Sequence, residues 1–327
     1  MGAFGFSSYS SAGANNQANK DKVISVDSEL TILMTRSQSQ IDAGTAPTHE
    51  WAYTFYGCKN PAFIMGPNFK FAAEWDTITI VGYDFASGMF SGCAGASFTM
   101  NDVFNLPQGI NSDGGNFAND MFSYCNGAAF TMNDVFNLPQ NITSVSNNFA
   151  SSMFSGCSGA TFTMNDVFNL PQGITSDIGY FANGMFSGCA GAAFTMNEVF
   201  NLPQGISTVG GNFASSMFSD CLGAAFTMND VFNLPQGIVS VDGYFASSMF
   251  SGCRGAAFTM NDIFNLPQGI TSDGYYFASS MFEGCAGASM GLLKAYLQKK
   301  SPAAKMNEAI EAIWDMLIPK NIEGAKQ

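Results

Sequence analysis

Cysteine is the residue type in this chain best suited to chemistry. Seven cysteines fall at 93, 125, 157, 189, 221, 253 and 285, a strict period of 32, and Cys58 precedes them by 35. Thiols in such number could hold a metal, form disulfides or pack. Metal sites want clustered spacings such as C-x-x-C, usually with histidines. Here each period holds one cysteine, and His49 is the sole histidine, in the loop-like "APTHEW". Disulfides would have to bridge successive periods, which strand-like spacing disfavours. The expectation is a row of buried thiols acting as small hydrophobes, a state that suits a reducing compartment better than an oxidising one.

Other columns repeat with the same period. Asp102, Asp134, Asp166, Glu198, Asp230 and Asp262 form an acidic column. None has the D-x-D-x-D-G density of a calcium loop, so solvated carboxylates or local caps are expected, with structural cation binding as the alternative. Thr99, Thr131, Thr163, Thr195, Thr227 and Thr259 form an outward row. A threonine row on a flat solenoid raises ice binding, but a single rank flanked by asparagine favours ordinary strand stacking. No nucleophile has an evident base, and P-loop, dinucleotide and zinc-protease motifs are absent from the sequence. A non-enzyme without cofactor or metal is expected.

The segment before each "FA" varies most between copies: "NSDGGN", "TSVSNN", "TSDIGY", "STVGGN", "VSVDGY", "TSDGYY". Tyr83, Asn116, Asn148, Tyr180, Asn212, Tyr244, Tyr275 and Tyr276 fall here and are the candidate ligand-binding residues. Aromatic rings with amide neighbours suit protein or carbohydrate recognition, because a ring gives contact area at low entropic cost.

These columns exist because the chain repeats. "FTMNDVFNLPQ" starts at Phe98, Phe130, Phe162 and Phe226, and recurs from Phe194 and Phe258 with Glu198 and Ile263 as the only changes. Near-identity at a fixed period of this size means stacked coils of a solenoid, in which no unit buries its apolar face alone. Within one coil, "AFTMN" alternates as a half-buried strand does; Phe162 and Met164 should point in, Thr163 and Asn165 out. "ITSV" reads as a second short strand. "FASSMF" places Phe149, Met153 and Phe154 on one side of a helical turn. "LPQG" is a turn.

The order Leu138-Pro139, Ile142, Phe149, Phe154 and Cys157 resembles the leucine-rich repeats of the BspA or Treponema pallidum type. That resemblance spans about residues 52–288. It departs from the family in its longer unit of 32 residues and in the phenylalanine and methionine that replace leucine. It implies a leucine-rich-repeat-like solenoid of short parallel strands and short helical turns, and a bacterial surface-associated, adhesin-like role.

The remaining segments divide the chain. Residues 1–22 read as disordered, 23–51 as N-terminal cap strands, 52–288 as the solenoid and 289–327 as an α-helical C-terminal cap, with Ser301 as N-cap and Met306, Ile310, Ile313, Trp314 and Leu317 on one stripe. No signal peptide or membrane span is read. Net charge is −13, and the solenoid from Gly82 to Ala288 holds one basic residue, Arg254. An acidic body repels phosphate backbones, so nucleic acid is not an expected partner; nor is membrane insertion. The expected function is multivalent, non-catalytic binding of a protein or glycan at the cell surface or outside it, with self-association through the caps in view. A structural or receptor-binding fibre and an intracellular scaffold are the alternatives.

Overall fold

The structure is a computed structural model. It describes residues 22–286 apart from 28, 33–35, 48, 61, 66–68, 102–107, 112–114, 134–135, 144, 146–147, 175–178, 230–231, 234, 242, 262–263, 266–271 and 274–278. The expected C-terminal helices and the N-terminal tail lie outside the described residues.

The repeats form a parallel β-solenoid. "AFTMN" becomes a five-residue strand in every copy: Ser97–Asn101, Ala129–Asn133, Thr161–Asn165, Ala193–Asn197, Ala225–Asn229 and Ala257–Asn261. These six strands make one parallel sheet in sequence order, and each residue faces its own repeat-mate: Phe162 pairs with Phe130 and Phe194, Thr163 with Thr131 and Thr195. The alternation works as the pattern predicts. Phe162 and Met164 are buried, and Thr161 and Thr163 are exposed.

Two further sheets run beside the first. The pair Phe-Asn that follows each of the last five long strands forms a five-stranded parallel sheet from Phe136–Asn137 to Phe264–Asn265. The sequence pattern gave no hint of it. Among the described residues the expected second strand appears in three copies, Thr208–Val209, Ser240–Val241 and Ser272–Asp273.

The helical turn expected at "FASSMF" does not form. The segment is instead a run of overlapping four-residue turns. In the Cys157 coil, Ser151 N–H donates to Asn148 O at 3.2 Å, and Ser155 N–H to Ser152 O at 3.0 Å. The alternate N–H groups leave the coil: Ser152 donates to Asn183 O at 3.0 Å, Phe154 to Met185 O at 2.8 Å and Gly156 to Ser187 O at 2.7 Å. To aim them there, Asn148, Ala150 and Ser152 take positive φ of 63°, 55° and 52°. The first turn, closed by Ser151, has its positive φ at the third residue, as a type II turn requires. A helix would satisfy its N–H groups internally and leave none for the adjacent coil. Phe149, Met153 and Phe154 are nevertheless buried.

Phenylalanine builds the core as stacks that run from coil to coil. In one, Phe122, Phe154, Phe186, Phe218 and Phe250 lie 5.1–5.2 Å apart and within 3–4° of parallel. A second, Phe130 to Phe258, is spaced 4.8–4.9 Å. The two meet edge to face, as Phe154 does with Phe162 at 5.5 Å. Burying one such ring is worth about 1.5–3 kcal/mol, and each favourable ring pair adds about 0.5–1.5 kcal/mol. That is what the recurring phenylalanines contribute to the core.

At the N-terminal end the pattern loosens. Ser25–Val26 pairs with Ile64–Met65, and a short helix, Gln38–Asp42, starts from a capping box between Ser37 and Gln40. Fully buried Trp75 meets Phe71 and Phe85 edge-on at 5.2 and 5.3 Å, where these two rings begin a third phenylalanine stack that continues through Phe117 and Phe149. Among the described residues no helix is long and apolar enough to cross a membrane.

Candidate functional site

Same-residue pairing turns every repeated side chain into a row, so each candidate column can be followed along the solenoid. The cysteine column lies inside. All eight thiols are free and buried. Each of the seven periodic thiols has its Sγ directed at a phenylalanine carbonyl of the preceding coil, as Cys157 Sγ donates to Phe122 O at 3.1 Å and Cys189 Sγ to Phe154 O at 3.1 Å. Burial pushes the thiols of Cys125, Cys157 and Cys221 well above the ordinary value. These are packing groups with one weak hydrogen bond each.

Of the acidic column, Asp166 and Glu198 are described; Asp102, Asp134, Asp230 and Asp262 lie outside the described residues. Asp166 accepts from Asn201 Nδ2 at 2.9 Å, so one carboxylate is committed to the neighbouring coil. Among the described residues no cluster of three His, Cys, Asp or Glu side chains could hold a metal ion. The threonine row is exposed along the long-strand sheet, as expected.

The described variable-loop candidates lie on one side of the solenoid and divide into two halves. Near the N-terminal end they form a polar chain. His49 Nδ1 pairs with Asp84 Oδ2 at 2.9 Å, and Asn116 Nδ2 donates to Asp84 Oδ1 at 2.9 Å and to Tyr83 Oη at 2.7 Å. Asn148 Nδ2 then donates to Asn116 Oδ1 at 2.9 Å. Further along, Tyr180 and Tyr244 are exposed and Asn212 is half-buried between them in the row. Tyr275 and Tyr276 lie outside the described residues. The amides of Asn116 and Asn148 thus spend their donors within the protein, while the rings of Tyr180 and Tyr244 face solvent.

A second site lies where the repeats are identical. The "NLPQ" turns of successive coils line a groove of about 450 Å³ with Asn137, Leu138, Gln140, Asn169, Leu170, Gln172, Asn201, Leu202, Gln204 and Gln108. The three leucines are buried and the glutamines exposed. The asparagines form an amide ladder: Asn169 Nδ2 donates to Asn137 Oδ1 at 2.9 Å and Asn201 Nδ2 to Asn169 Oδ1 at 3.1 Å. A parallel ladder joins Asn133, Asn165, Asn197 and Asn229 at 2.8–3.0 Å. Sequence reasoning searched the variable positions and passed over this constant one. The available signal was polar, uncharged residues repeated without change in a turn where solubility alone tolerates many types.

No family model matches the chain, and no curated protein does. Two solved structures align with it. One is a leucine-rich repeat protein from Bacteroides ovatus, 14% identical over 75% of this chain and 68% of that one, with a TM-score of 0.18. The other is a leucine rich cell surface protein from Faecalibacterium prausnitzii, 12% identical over 82% and 79%, with a TM-score of 0.16. Neither superposition carries residue roles over to this chain; its architecture rests on its own strand register.

Proposed function

We propose that this protein is a non-catalytic binding protein that recognises a protein or carbohydrate ligand multivalently, in the manner of an adhesin at a cell surface or outside the cell. One observation carries this reading. Identical residues pair across six successive strands, from Phe98↔Phe130 to Phe226↔Phe258. The outward threonine of each strand, from Thr99 to Thr259, is therefore presented six times at one spacing. Weak contacts repeated on a rigid support gain avidity without any new contact. An intracellular scaffold is the second reading, favoured by eight free cysteines, because oxidising compartments usually pair such thiols. Their complete enclosure in the core removes most of that pressure and leaves the surface reading ahead.

The test is protease shaving of intact source cells, with mass spectrometry for the repeat peptides. Release from unbroken cells, followed by binding of the purified protein on glycan or matrix-protein arrays, is the expected result. Protection until lysis would sink the surface role and move the search to intracellular partners.

A further inference from the structure

We propose that the groove along the "NLPQ" turns is a binding site for a neutral, unbranched polysaccharide lying parallel to the solenoid axis. The inference rests on the binding role proposed above and names its site and ligand class. About 450 Å³ of groove running from Gln108 to Gln204 falls within the usual size of ligand sites, roughly 300–1,000 Å³.

The chemistry of the lining narrows the occupant. No lining residue is charged and none is aromatic, so a polyanion finds no counter-charge there, and the Asp166 carboxylate beside it is already engaged by Asn201. The glutamines are held in one orientation. Gln140 Oε1 accepts the backbone N–H of Gln172 at 3.4 Å, and Gln172 Oε1 accepts that of Gln204 at 3.1 Å. With these two oxygens engaged, the exposed side chains of Gln140 and Gln172 keep their Nε2 donors for a ligand, over a floor of buried leucine. Donors fixed before binding lose little entropy when a ligand arrives. The complement is a polymer with an oxygen acceptor in each unit.

Spacing and identity favour a glycan over a peptide. Adjacent coils are separated by the interstrand distance, about 4.8 Å. An extended peptide places side chains on one face every ~6.8 Å, out of step with the coils. A pyranose ring in an extended chain advances by a length close to the coil spacing and offers hydroxyl and ring oxygens each time. The four residues are also unchanged in all six copies. Equal subsites suit a homopolymer; a peptide of varied sequence gains nothing from them.

The experiment measures binding of the full chain to neutral hexasaccharides of β-1,4-linked glucose, β-1,4-linked mannose and α-1,4-linked glucose, with hexagalacturonate as the charged counterpart. Two variants are compared: one carries Gln140→Ala, Gln172→Ala and Gln204→Ala; the other carries Tyr180→Ala and Tyr244→Ala on the variable row. All five side chains are exposed, and circular dichroism verifies each fold. The expected result is that a neutral hexasaccharide binds in preference to hexagalacturonate, that the glutamine variant weakens it about tenfold or more, the loss of roughly one good hydrogen bond, and that the tyrosine variant does not. Equal binding by the glutamine variant, loss confined to the tyrosine variant, or preference for hexagalacturonate overturns the groove assignment while leaving the binding role intact. So does an array on which only proteins bind. Silence on glycan and protein arrays alike overturns both.

Discussion

At the residue scale, side chains here answer to the next coil more than to their own neighbours in sequence. Gly82 shows how tight that fit is: a Cβ built there would lie 1.9 Å from Pro47 O, a backbone atom that cannot swing away. Gly82→Ala should therefore cost about 1–3 kcal/mol, the usual range for overpacking, and lower the thermal midpoint measured by circular dichroism. An unchanged midpoint would mean that the 44–47 segment does not lie against Gly82. The thiols give a prediction in pH. Burial disfavours the thiolate and raises Cys125, Cys157 and Cys221 well above the ordinary thiol value. A raised folded pKa means that the unfolded chain loses its protons first. The contribution of these three thiols is then constant below about pH 9 and falls as the pH climbs above it. Urea midpoints at pH 7, 8, 9 and 10 should show that decline, and Cys157→Ala should shallow it. In parallel, a thiol reagent at pH 7 should find no fast-reacting cysteine in the native protein and all eight in urea. Several fast thiols in the native state would contradict the enclosed row.

At the element scale the turn run is the unusual part, and its strain is testable. An L-residue at positive φ costs roughly 1–2 kcal/mol, and Ala150 and Ser152 both sit there. Two other coils already carry glycine in the Ser152 column, at Gly88 and Gly184, with φ of 58° and 56°. Ser152→Gly should thus be neutral or stabilising by up to about 1 kcal/mol despite the added freedom of the unfolded chain, whereas Ser152→Val should be strongly destabilising. If glycine destabilised and valine were tolerated, the helical turn expected from "FASSMF" would return. This contrast marks where the sequence could be read. The alternation of "AFTMN" states a strand directly, because burial of one face is a local pattern. The spacing of Phe149, Met153 and Phe154 equally states which residues are buried, but not how the backbone achieves it. That is decided by where the N–H groups of Ser152, Phe154 and Gly156 find acceptors, and those lie 31 residues away. The asparagine ladders and the "NLPQ" groove were hidden for the same reason: Asn169 bonds Asn137, and a single coil gives neither partner nor groove.

At the scale of the whole molecule, the period itself is the quantity under constraint. Each of the three sheets built from the repeats pairs residue i with residue i+32, so phenylalanine meets phenylalanine, Asn165 meets Asn197 and each periodic thiol finds its carbonyl. Stability in such an array is a sum of coil and interface contributions rather than a property of one centre. Excising residues 162–193 removes one complete period and joins Thr161 to Phe194, which restores the native sequence around the junction. That variant should fold, keep its strand signal and lose only the share of stability belonging to one coil. Excising 162–192 instead leaves Ala193 where a phenylalanine belongs and shifts one coil by a residue. In a strand a one-residue slip sends every inward side chain outward, so Phe194 and Met196 would face solvent and Thr195 the core. The two variants differ by one residue in length yet should differ sharply in proteolysis rate and urea midpoint. Equal behaviour would mean that the coils do not depend on register. In that case neither the phenylalanine stacks nor the amide rows could be what holds the solenoid together, and a ligand matched to the coil spacing would have no fixed lattice to read.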